Sequence, residues 1–147
     1  MRPIALTTLL IVAAFSGCKS AVPPTAPTAM LVEGGALPPT GSGVMARWVG
    51  VGHSVSGSVR FTAQAGVGRL DFSDDFVLSE APGPFVYVNT TNNANTGRPL
   101  RVSALKSTRG AQSYTFQLPA GAVYTWVLLW CDPFNVALAE TQIPPTP

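Results

Sequence analysis

The amino-acid sequence predicts an all-β domain, an antiparallel β-sandwich of about seven to nine short strands. Three observations predict it. From residue 44 onward, apolar residues recur with a period of two. Glycine and proline number 14 each in 147 residues, too many for a helical bundle but suited to a chain of frequent turns. After Cys18 no segment carries an apolar stripe at helical spacing.

The elements follow in order. SVSGSVRFT sets Val55, Gly57, Val59 and Phe61 on one face, with serines and Arg60 opposite. GRLDFS places Leu70 and Phe72 together. PFVYVN carries Phe85 and Tyr87 on one side and Val86 and Val88 on the other. QSYTFQL aligns Tyr114, Phe116 and Leu118. VYTWVLLWC, Val123–Cys131, is apolar on both faces, the pattern of a central covered strand. FNVALA aligns Phe134, Val136 and Leu138. Turn formers fill Gln64–Gly68, Ser79–Pro84, Asn89–Pro99, Thr108–Gly110 and Pro119–Gly121.

Composition narrows the function. Charged residues are 11% of the chain, against roughly 25% in ordinary soluble domains. A net charge of +2 gives no electrostatic footprint for nucleic acid. One histidine and two cysteines are too few for most zinc sites, which use three or four protein ligands. The length suits a single domain.

The N-terminus reads as an export signal over residues 1–17. Arg2 precedes an apolar run from Ile4 to Phe15. That run fits the roughly 7–15-residue core of a signal peptide and falls short of the ~20 residues a membrane span needs. FSGC then resembles the bacterial lipobox, with Phe15 where leucine is usual, and implies that Cys18 carries lipid. Two or more acyl chains give stable anchoring without a spanning helix. Lys19, in place of an aspartate, is similar to Gram-negative lipoproteins sorted to the outer membrane. The expected location is the cell envelope, on its periplasmic or surface face.

Residues 18–43 read as a lipid-anchored tether rich in proline, glycine and threonine, an extended spacer that lifts the domain off the membrane. Within it, Ala29–Val32 is an apolar patch able to dock. The domain occupies 44–143, and 144–147 form a proline-capped tail.

Candidate chemistry centres on Cys131. With lipid on Cys18, it is the remaining thiol, unusual in an exported protein. The apolar strand and the neighbouring Asp132 make for a poorly reactive sulfur. A redox role therefore calls for partial exposure at the sandwich rim, with a cation from Arg98, Arg101, Lys106 or Arg109, or an aromatic ring, beside it. The plain alternative is a buried packing cysteine. His53, in GVGHSVSG, is either a surface residue or a haem ligand, alone or with Met45 or Cys131. Neither comes with a nucleophile elbow or other local signature of a hydrolase. Asp71, Asp74, Asp75 and Glu80 offer oxygens for calcium or simply a solvated turn that pairs with the basic run. That basic run also suits a charged redox partner. Asn89-Thr90-Thr91 fits a glycosylation sequon. Trp126 and Trp130, in period with Tyr124, read as sandwich core or as the lining of a cofactor cleft.

Residues 53–143 resemble the DM-thirteen "electron transfer" domain, a family related to DOMON β-sandwiches. The matching pieces are HSVSGSVRF, LDFSDDF, GPFVYV, LKSTRGAQSYTFQLP and YTWVLLWCDPFNVALAETQI, in family order. Phe85 stands where an acidic residue is common, and Trp130-Cys131 falls at the family's hallmark cysteine. The resemblance implies a DOMON-like sandwich and a redox role for Cys131. That role would be played as a bare thiol or as ligand to a prosthetic group such as haem, opposite a redox partner protein. The competing reading is a non-catalytic binding or adhesion module displayed on the tether.

Overall fold

A computed structural model describes residues 23–31, 43 and 45–145. The segment expected to be an export signal, and Cys18, lie outside the described residues. Eleven strands follow in order. They are β1 (Met45–Arg47), β2 (Val49–Gly50), β3 (Val55–Ser56), β4 (Ser58–Gln64), β5 (Val67–Phe72), β6 (Val77–Leu78), β7 (Pro84–Asn89), β8 (Leu100–Ala104), β9 (Gln112–Gln117), β10 (Trp126–Cys131) and β11 (Val136–Gln142). A 3-10 turn, Asp132–Phe134, links the last two.

All pairings between these strands are antiparallel. A four-stranded sheet runs β1-β4-β5-β9, a five-stranded sheet runs β2-β11-β10-β7-β8, and β3-β6 form a small third sheet. The fold is thus the antiparallel β-sandwich the alternation predicts. The strand count exceeds expectation because β1, β2, β3 and β6 are only two or three residues long. β8 was also unanticipated, its LRVSA sequence reading as part of a basic run.

Local chemistry explains the breaks. Gly57 has φ +87, and a Cβ there would lie 2.7 Å from the Phe76 backbone, so the expected single strand splits into β3 and β4. The β4–β5 hairpin turns through Ala65 and Gly66, both at positive φ, as a two-residue hairpin whose twist matches its strands requires. Buried Trp48 sits where the chain leaves β1 in one sheet for β2 in the other, a corner made by a strand switching layers.

The core between the sheets is filled by Val59, Phe61, Leu70 and Phe116 from one side and Val86, Val88, Val127 and Leu129 from the other. β10 lies between β7 and β11, central as predicted, though the strand begins at Trp126, and Val123 is exposed. That later start separates the aromatics. Tyr124 joins the core between the sheets, whereas Trp126 and Trp130 belong to a second cluster with Tyr87, Leu128 and Ala94. Asn89 is fully buried, and its amide nitrogen donates to Thr91 Oγ1, Asn93 O and Thr96 O. The sequon asparagine is therefore spent on holding its own loop.

Part of the expected tether is built into the domain. Arg101 N donates to Pro27 O at 2.9 Å and Ala29 N to Arg101 O at 2.6 Å. Gln117 N donates to Met30 O at 3.0 Å, and Ala29 is buried. β8 and β9 are edge strands of their sheets, so residues 27–31 stitch two open edges together.

Candidate functional site

Cys131 ends β10, where its backbone pairs with Pro84 of β7. Its side chain faces the core between the sheets, is 1% exposed, and its Sγ donates to Pro82 O at 2.8 Å. A rim thiol with a reachable sulfur was expected. Instead the 79–83 loop caps it, because Pro82 supplies the acceptor that a strand-end thiol would otherwise find in water.

Asp132 turns the other way. Its Oδ1 accepts from Tyr87 Oη at 2.8 Å and its Oδ2 from Arg101 Nε at 2.7 Å. The Arg101 guanidinium lies 3.5 Å from the centroid of the Phe85 ring. Burial raises the Tyr87 phenol above its ordinary value, helped by its bond to Asp132 and by the carboxylate charge. Of the four cations named above, Arg101 is the one that meets Asp132; Arg98 instead donates to Gly121 O. Trp130 Nε1 donates to Asn135 Oδ1 at 3.1 Å, fixing the residue that closes the 3-10 turn.

Tyr87, Arg101 and Asp132 together form a largely buried polar knot, with Arg101 at its edge, that no local pattern in the sequence marks. One signal was present. Phe85 and Tyr87 alternate on an apolar strand, and a buried tyrosine needs a partner for its hydroxyl. Nothing local said the partner lay across the sheet, just past the cysteine.

His53 Nδ1 lies 3.4 Å from Ser79 Oγ. His53 and Cys131 thus touch the same loop, at Ser79 and Pro82, without being shown together. A hollow of about 390 Å³ beside them is lined by Ser54, Ser56, Ser79, Glu80, Thr108 and Arg109, among others. Glu80 and Thr108 also line a second hollow with Ala81 and Pro82. Neither hollow is lined by Cys131 or His53. A haem held by this pair does not fit these side chains, since the thiol points into the core at Pro82 and the imidazole at Ser79. Met45, the other ligand considered, lies on edge strand β1.

The acidic group does not act together. Asp71 is bonded by Arg69 on its own strand and by Ser113 Oγ at 2.7 Å, while Asp74 and Asp75 are exposed. Among the described residues no group of three or more His, Cys, Asp or Glu side chains is placed to hold a metal ion.

A family model described as Electron transfer DM13 matches residues 49–143. No curated protein and no solved structure matches the chain.

Proposed function

The chain belongs to the DM13 electron-transfer family, and on that premise we propose that it is an envelope-anchored redox module working through the Cys131 thiol. The observation that carries this reading is the thiol's position. Its acceptor, Pro82 O, belongs to a loop whose other side lines an open hollow. Ser79 and Glu80 of the same loop line a second hollow with Arg109, so a carboxylate and a guanidinium stand there for a partner to meet.

The chemistry is thiol–disulfide exchange. When the 79–83 loop moves aside, Cys131 loses its proton and its sulfur attacks one sulfur of a disulfide on the partner. A mixed disulfide forms, and the partner's second sulfur leaves as a thiolate. Lipid on Cys18 would hold the module at the membrane; the lipobox-like FSGC supports this. Among the described residues no helix is long and apolar enough to cross a membrane.

A second reading, the displayed binding module, is favoured by the 1% exposure of Cys131. Maleimide labelling of the intact native chain separates the two. The redox reading expects slow but complete labelling, faster in Pro82→Gly, and loss of exchange with a small-molecule disulfide in Cys131→Ser. Labelling only after denaturation, with unchanged behaviour of Cys131→Ser, assigns the chain to the binding module.

A further inference from the structure

We propose that the rim around Phe134 and Val136 rests on the lipid surface to which Cys18 is attached. The proposal depends on the lipid-anchor reading and goes beyond it by naming the face that meets the bilayer.

Docking of residues 27–31 changes the geometry of the anchor. Pro23 is already against the sandwich, lining a hollow with Thr25, Ala94, Asn95, Pro99 and Asn135. On the lipid-anchor reading, the leash from the lipid on Cys18 to Pro23 is the five residues 18–22 of the sequence. A chain spans at most about 3.3–3.6 Å per residue, so this leash reaches about 18 Å. That is the length of one of the strands. The domain is held close to the lipid, with the Pro23 side toward it.

That side suits a bilayer. No residue lining the hollow is charged. Asn135 lies between Phe134, 58% exposed, and Val136, 46% exposed. The Trp130 indole bond to Asn135 holds this rim in place from below. The carboxylate of the same turn, Asp132, points inward to Tyr87 and Arg101, so it does not face the lipid. Aromatic and branched apolar side chains on a fixed turn, beside the end of a short acylated leash, match the requirements of interfacial binding.

The test uses the lipidated full chain in vesicles of neutral phospholipid. An environment-sensitive dye is attached to Phe134→Cys in a Cys131→Ser background, with Thr62→Cys, on the outer face of the four-stranded sheet, labelled for comparison. Expected are flotation with the vesicles, a blue shift and loss of most emission to a lipid-borne quencher at position 134, and neither change at position 62. A chain that floats while its 134 label stays in water overturns the proposal alone and leaves the rim to a protein partner. A chain that does not float overturns the anchor, and the docking face with it. Hydrogen exchange gives a measurement that keeps Cys131. Amides of residues 134–137 should exchange more slowly on vesicles than in the unlipidated chain in buffer, and Phe134→Ser with Val136→Ser should abolish that difference. Equal exchange in both media overturns the proposal.

Discussion

On the outer face of the four-stranded sheet, Arg69 and Asp71 pair in partly buried positions, with Ser113 beside them. On the outer face of the five-stranded sheet, Tyr87, Leu128 and Trp130 are buried, with Ala94 and Ala26 packed over them. One sheet meets water on its outer side, as antiparallel sheets commonly do; the other is covered on both sides. The difference shows in the two ion pairs. Arg69–Asp71 joins neighbours on one strand, whereas Arg101–Asp132 joins β8 to the turn after β10 and carries a buried tyrosine with it. The covered sheet also contributes the cysteine.

The largest effect expected from this contrast comes from a charge placed on each outer face. Leu128→Asp sets an unpaired carboxylate in a site 1% exposed. That costs several kcal/mol of the ~5–15 kcal/mol by which domains are stable, and the domain should unfold by circular dichroism. Thr115→Asp, opposite Arg69 on the watered face, should change stability by less than about 0.5 kcal/mol. Equal damage from both would remove the distinction between the faces.

The ion pairs come next. Asp132→Ala breaks an ion pair and also leaves the fully buried Tyr87 hydroxyl without its acceptor, and about 2 kcal/mol should be lost in denaturant titration. Asp71→Ala should cost about 1 kcal/mol or less.

pH gives the smallest and most selective effect. Burial alone would raise the Asp71 carboxyl, but its bonds from Arg69 and Ser113 outweigh this and hold it below the usual value. Its contribution is present above the ordinary aspartate range, about 4, and is lost as pH falls through the lower folded value. Asp71→Asn should flatten this acid limb. Tyrosine shifts act at the other end. Burial raises Tyr114 to about 12 and raises Tyr87 as well. Stability from these phenols is intact below about pH 10 and falls as pH climbs past it. Tyr87→Phe should weaken the alkaline limb and leave the acid one unchanged. Melting temperatures across pH check both limbs.

The sandwich was legible where strands run for six or more residues. β4, β5, β7, β9, β10 and β11 all stand close to where the period of two put them. β8 was hidden because Arg101 and Ser103 alternate with Leu100 and Val102 over too short a run beside other basic residues. β1 and β2 are too short to show any period and exist through their pairing with β4 and β11. The site was legible to the extent of its cysteine. Cys131 stood out as a thiol, and Arg101 was among the cations weighed against Asp132. Capping by Pro82 and the Tyr87 bond depend on register between strands far apart in sequence, which no local pattern carries. The docked 27–31 segment was half visible, its apolar residues noted but its prolines pointing to a free spacer. Proline lacks a donor, yet Pro27 needs only its carbonyl to bond Arg101.

That segment also governs when the protein can fold. Residue 28 bridges to residue 101 and residue 31 to residue 116. The first part of the sandwich to leave the ribosome must wait for strands that lie some 70 to 85 residues further on. Such long-range closure slows folding. The sandwich cannot close this edge until the chain has been made as far as residue 116.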